Sequence, residues 1–168
     1  MNAQELVNAK VLDIGSGTTV GSVTGVLIDP QERKVVALRV DGGFLARPHY
    51  LAFENIVSAE NDVVTIPTRE SLVQRGSFRA IGMIDGLTGR EVFTEDGMVL
   101  GTVQDYTVEP ITGEIHSITF AVDKERLGGL WHATGDSYNL PITLVKTLGE
   151  NVIVDNSVPD EVGLKKAA

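Results

Sequence analysis

His49, His116 and His132 are the only imidazoles among 168 residues, and there is no cysteine. These two facts bound most of the chemistry the chain could do. Without a thiol there is no thiolate nucleophile, no disulfide and no cysteine-type zinc site. A histidine metal site would need carboxylate support, with Asp41, Asp123, Glu125 and Asp136 as the candidates. No H-x-x-x-H or comparable spacing places two imidazoles on one face. His116 stands between Ile115 and Ser117, where strand alternation turns it away from the face of Ile115. The carboxylates Asp29, Glu95, Asp96, Asp105 and Glu109 fall mostly in turn-forming stretches. Acids are common there because they accept hydrogen bonds from nearby amides. A general acid–base pair would need two of them convergent in a cleft, and no spacing predicts that. Ser16, Ser22 and Ser117 have no nucleophile-elbow context. Gly15-Ser16-Gly17 and Gly128-Gly129 precede no helix with the spacing and lysine of a phosphate loop. The sequence therefore assigns no catalytic residue, no metal ligand and no cofactor.

The residues that stand out instead are large and apolar, in two loop-like stretches. One is Asp41 to Tyr50, with Phe44 and Tyr50 beside two glycines. The other is Asp123 to Asn139, with Leu130, Trp131 and Tyr138. Aromatic side chains in connecting segments either fold back on their own unit, pack one unit on another, or meet another chain. All three readings are open for Trp131. These five residues are the candidate partner-binding positions.

The elements that must position them come in two sets. Lys10 to Val40 and Arg90 to Phe120 run in register at an offset of 80 from Gly17 onward. Gly17 meets Gly97, Gly21 meets Gly101, Val23 meets Val103 and Pro30 meets Pro110. The register returns at an offset of 89, where Leu51 meets Leu140, Ile56 meets Val145, and Val63-Val64 meets Val152-Ile153. The nine-residue excess of the second copy falls between Ala121 and Asn139. A period of this length is a duplicated domain, not a short-repeat solenoid. Each copy reads as short β-branched strands separated by Gly and Pro turns, which predicts an all-β fold. In the first copy the predicted strands are Val20 to Asp29, Lys34 to Asp41, Leu51 to Phe53 and Asp62 to Ile66. In the second they are Met98 to Glu109, Glu114 to Val122, Leu140 to Thr147 and Asn151 to Asp155.

The expected organisation is a first domain at 1–68, a linker at 69–85, a second domain at 86–156 and a tail at 157–168. One or two helical turns are expected around Arg69 to Arg75. The tail, with Pro159 and Gly163, is expected to fray. Units this small bury little surface alone, so they should pack on each other or on another subunit. Hydrophobic residues make up 42% and aromatics 5%, which predicts aliphatic cores. The net charge of −9 repels phosphate backbones and argues against direct nucleic-acid binding. No apolar run is long enough to span a membrane. The N-terminal stretch has no basic region followed by an apolar run, so no signal peptide is expected and the cytoplasm is the default location.

The two copies together resemble tandem PRC-barrel domains. The first carries the resemblance in Leu6, Lys10-Val11, Gly17, Val20 to Val23, Val26 to Pro30 and Val35 to Leu38. The second carries it in Leu87, Gly89-Arg90, Val92, Asp96-Gly97, Leu100 to Val103, Asp105, Val108 to Pro110 and Thr112 to Ile115. The resemblance implies two tandem small β-barrels and a non-enzymatic adaptor or assembly protein with a protein partner. A homodimer is an alternative way of covering the aliphatic rims. Other members imply other roles. One forms the cytoplasmic part of the photosynthetic reaction-centre H subunit, which suggests a reaction-centre accessory protein. Another forms the C-terminal half of ribosome-maturation factors of the RimM type, which suggests a ribosome-associated or RNA-processing accessory. This chain lacks the transmembrane helix of the first, and its N-terminal half is a second barrel copy where the other factor has an RNA-associated one. A small-ligand or enzymatic role at an interdomain cleft is the remaining alternative.

Overall fold

The computed structural model describes residues 1–78, 82–127 and 131–166. The chain divides into two compact units. Unit 1 comprises Met1–Gly86 together with Val108–Glu114, and unit 2 comprises Leu87–Thr107 and Ile115–Ala168. Both are built from β-sheet, as the Gly and Pro punctuation predicts.

In unit 1 a short helix α1 (Ala3–Leu6) leads into β1 (Lys10–Asp13), β2 (Thr18–Asp29), β3 (Lys34–Asp41), β4 (His49–Ala52), β5 (Ser58–Glu60), β6 (Val63–Ile66), β7 (Leu72–Val73) and β8 (Ile84–Asp85). The strands order as β5-β6-β1-β2-β3-β4-β7, and β8 pairs with β2. Unit 2 holds β9 (Glu91–Thr94), β10 (Val99–Val108, its last residue lying in unit 1), β11 (Ile115–Val122), β12 (Trp131–His132), β13 (Ser137–Pro141), β14 (Val145–Leu148), β15 (Val152–Val154), helix α2 (Val158–Glu161) and β16 (Lys165–Lys166). Its sheet runs β13-β11-β10-β9-β15-β14, and β12 pairs with β16 in a separate ribbon. Read from the other end, this is the order of unit 1 without β7. The duplication seen in the sequence is thus a duplication of topology. In each unit the first strand pairs parallel with a late one, β1 with β6 and β9 with β15.

The matched glycines have a steric cause. Gly21 lies opposite Val11, and Gly101 lies opposite Val92. A Cβ on Gly21 would stand 2.6 Å from the carbonyl oxygen of Asp41, and one on Gly101 would collide with that of Ala121. The neighbouring strand crosses too closely for any side chain, beside a register shift that bends the long strand.

The register of the last strands differs from the sequence match by one residue. Val11 pairs with Val64 and Val92 with Val152, so Val64 and not Val63 corresponds to Val152. Strand alternation decides this, because Val64, Ile66, Val152 and Val154 are the buried residues. The turns that precede these strands also differ, Asn61-Asp62 in the first copy and Gly149 to Asn151 in the second. In the first copy Asn61 and Asp62 adopt φ of 53° and 62°, the double positive φ of a tight hairpin. The predicted strand Leu140 to Thr147 is likewise two strands. A 3₁₀ turn at Ile142–Leu144 separates β13 from β14, and its counterpart at Phe53–Asn55 separates β4 from β5.

The cores are aliphatic. Val11, Leu38, Leu51 and Ile66 are buried in unit 1, and Leu100, Ile118, Phe120 and Leu140 in unit 2. β2 buries Val26, Leu27 and Ile28 in succession, which means both of its faces are covered. The outer cover is Phe78 and Met83, packed on Leu27, Ala37 and Tyr50. The stretch predicted to turn helical forms two 3₁₀ turns, Arg69–Ser71 and Arg75–Ser77, on either side of β7. The expected fraying of the tail is overturned as far as Leu164. Val158 and Leu164 are buried, and the Ser157 amide donates to the Asp155 carboxylate at 2.9 Å.

Candidate functional site

Two buried polar side chains hold the ends of the first strands, Asp13 at the end of β1 and Thr94 at the end of β9. Asp13 accepts the amides of Ser16 at 3.2 Å and Arg69 at 3.1 Å. Burial pushes its carboxyl up, but the amides of Arg69, Ser16 and Gly15 and the Ser16 hydroxyl outweigh that and hold it below its ordinary value. Thr94 accepts the Met98 amide at 3.0 Å and donates to Asp96. Both act on backbone turns, Asp13 through the amides it accepts and Thr94 through the Met98 amide. The turn acids do the same. Asp29 accepts the amides of Gln31 and Glu32 at 3.0 and 3.1 Å, and Glu109 those of Ile111 and Thr112 at 2.9 and 2.7 Å.

The histidines are dispersed. His49 donates from Nδ1 to the Arg47 carbonyl at 2.9 Å, which leaves Nε2 to accept from the Gln74 amide at 3.2 Å. His116 and His132 are exposed. Among the described residues no three His, Asp or Glu side chains group as a metal site.

The aromatic loops are better defined. In unit 1 the Asp41 to Tyr50 loop is pinned at its N-terminal side. The Asp41 carboxylate accepts from Arg39 Nε at 3.1 Å and from the Thr24 hydroxyl. Gly43, at φ +59°, passes so close under the Val20 carbonyl that no Cβ fits. Phe44 follows directly and is 77% exposed. It borders a groove of about 470 Å³ with Asp13, Ser16, Thr68 and Glu70. Tyr50 is turned the other way. It is 7% exposed and meets the Phe78 ring at 6.3 Å, so its ring surface is covered by the same unit.

In unit 2 the longer loop is tied at several points. Lys124 pairs with Asp136 at 3.0 Å, Arg126 bridges Glu91 at 3.0 Å and Asp123 at 3.9 Å, and Leu127 is buried. Leu130 lies outside the described residues. Trp131 is half-buried in β12, paired with Lys166 of β16. Tyr138 rests on Phe120, with ring centroids 6.1 Å apart. Its phenol oxygen accepts the amides of Thr134 and Gly135 at 3.2 Å each. The Thr134 hydroxyl, then the Gly135 amide, hold that phenol below its ordinary value. Phe44 and Tyr50 thus belong to one unit, and Trp131 and Tyr138 to the other.

The sequence reading passed over three exposed apolar residues. Ile14 is 54% exposed, Val57 58% and Ile111 85%. Ile111 had a readable signal, since it sits at the centre of the Glu109-Pro110-Ile111-Thr112-Gly113 turn, where polar residues are usual.

The strand order shared by the two units, with its parallel closing pair, agrees with a family comparison. The model of the PRC-barrel domain matches residues 1–73 and 84–160. The chain belongs to the PRC-barrel family. No curated protein matches it. PRC-barrel domains generally act as protein-interaction modules. No helix among the described residues is long and apolar enough to cross a membrane.

Proposed function

We propose that this PRC-barrel pair is a cytoplasmic adaptor or assembly protein that binds a protein partner through its aromatic loops. Phe44 carries the reading. A phenylalanine that is 77% exposed, on a loop whose base is held by Asp41 and Gly43, is displayed at a defined place. Ordering such a residue in advance reduces the entropy a partner must overcome. Trp131 is half-buried and Tyr138 is braced by two amides, so they would supply a second rigid aromatic surface from the other unit. Leu130 completes the proposed set from its place in the sequence. Tyr50 would contribute by supporting β4 beneath the loop. The net charge of −9 favours a partner with a basic surface over nucleic acid.

The test is affinity capture with three forms of the full chain, namely wild type, Phe44→Ser and a Trp131→Ala, Tyr138→Ala double variant. We expect a shared set of specific partners for the wild type and its loss in at least one variant, with circular dichroism unchanged for Phe44→Ser. Identical partners at identical affinity in all three would discard the aromatic loops as the binding surface.

A further inference from the structure

Unit 1 contains an apolar groove of about 530 Å³ that the aromatic-loop reading does not use. All of its lining residues belong to that unit, which includes the Val108–Glu114 turn. Val36, Ala52, Phe53 and Phe78 provide its apolar lining. The turn is hydrogen-bonded to β3, with the Val35 amide donating to the Gly113 carbonyl at 2.8 Å. Gly113 lies on the Phe53 ring so closely that a Cβ there would be 3.1 Å from Cδ1. This contact sets Ile111 at the groove, 85% exposed.

The polar lining has a sign. Glu54 and Glu114 border the groove, against one cation among the described lining residues, Lys34. None of the three takes part in an ion pair among the described residues. The wider surface is acidic as well, at −9 over the chain. An apolar lining with uncompensated carboxylates fits an apolar side chain carried between positive ones.

We infer that this groove docks a partner segment in which one or two large apolar residues are flanked by Lys or Arg. The apolar side chain lies against Ile111, Phe53 and Phe78, and the flanking cations face Glu54 and Glu114. This deepens the adaptor reading by naming the chemistry of a partner, and it uses residues separate from Phe44, Trp131 and Tyr138.

The probe is a set of three fluorescein-labelled peptides titrated into the full chain and followed by anisotropy. One carries Leu-Phe between Arg and Lys residues, the second carries Ser-Ser in the same basic frame, and the third carries Leu-Phe between Glu and Asp residues. We expect the first to bind at least tenfold tighter than either other. Ile111→Ser should remove that preference, and Glu54→Lys with Glu114→Lys should remove it with the fold intact by circular dichroism. Phe44→Ser should leave it unchanged, which separates this groove from the aromatic loops. Equal binding of the two basic peptides would reduce the effect to net charge and overturn the proposal. Self-association seen by light scattering and abolished by Ile111→Ser would also overturn it, in favour of a second copy as the occupant.

Discussion

Single residues in this chain are mostly committed to backbone geometry. Gly101 is the sharpest case, because the Ala121 carbonyl occupies the space a Cβ would need. Gly101→Ala should therefore cost about 3 kcal/mol, the upper end of what overpacking a tight interior costs. Gly25→Ala is the control. Its nearest neighbour would be the Arg39 Cβ at 3.9 Å, and a change within about 1 kcal/mol is expected. Urea midpoints of the two variants check this. Asp13 makes a second prediction. Its folded carboxyl is held below its ordinary value by the amides it accepts. A depressed folded pKa adds stability that is complete above the unfolded value, about 3.9, and is lost as pH falls through the lower folded value. Wild type should therefore exceed Asp13→Asn in stability at neutral pH, and the gap should close below about pH 4. Urea titrations from pH 7 to pH 3 measure it, and a constant gap would show that Asp13 acts by shape and not by charge.

Elements owe their positions to cover on both faces. The stretch after β6 contains β7, which pairs with β4, and Phe78, which packs over Tyr50. Together with Met83 it covers the outer side of Leu27 and Ala37. Removing the ring should expose this side of the sheet. Phe78→Ala is expected to cost about 2 kcal/mol, less than truncation of a fully buried phenylalanine because Phe78 is half-buried. Tyr50 should then become reactive toward a phenol-nitrating reagent. An unreactive Tyr50 in the folded variant would place its cover elsewhere. The same ring lines the groove beside Ile111, so this variant should also weaken the basic apolar peptide.

At the scale of the whole molecule, sequence order and compact units do not coincide. Val108–Glu114 comes from the second copy's hairpin but belongs to unit 1. Its Gly113 carbonyl accepts the Val35 amide, and the Glu114 backbone forms an antiparallel β-bridge with that of Lys34. A fragment ending at residue 86 loses these partners and uncovers Val35 and Phe53. It should unfold at lower urea than unit 1 in the full chain, by about 2 kcal/mol for an orphaned buried amide and the lost packing. Amide exchange at Val35 in both proteins measures the local part of that loss. Equal protection would show that the turn adds nothing to unit 1.

The sequence alone determined the repeat, the all-β class and the family, because each rests on local physics. Glycines at close crossings, acids over turns and buried alternation recur at constant spacing whatever the rest of the chain does. Gly21 and Gly101 are legible for that reason, as are the capped turns at Asp29 and Glu109. The register at Val64 was not legible. A turn can gain or lose one residue without changing the apolar pattern, and only pairing with Val11 and Val92 decides which valine faces inward. The candidate site divides along the same line. Phe44 could be named from its loop, but the cover of Tyr50 depends on Phe78, which is remote from it in sequence. Ile111 gains its meaning from Val36, Phe53 and Phe78, and only the tertiary structure brings these together, because contacts between distant segments leave no periodic trace in a chain.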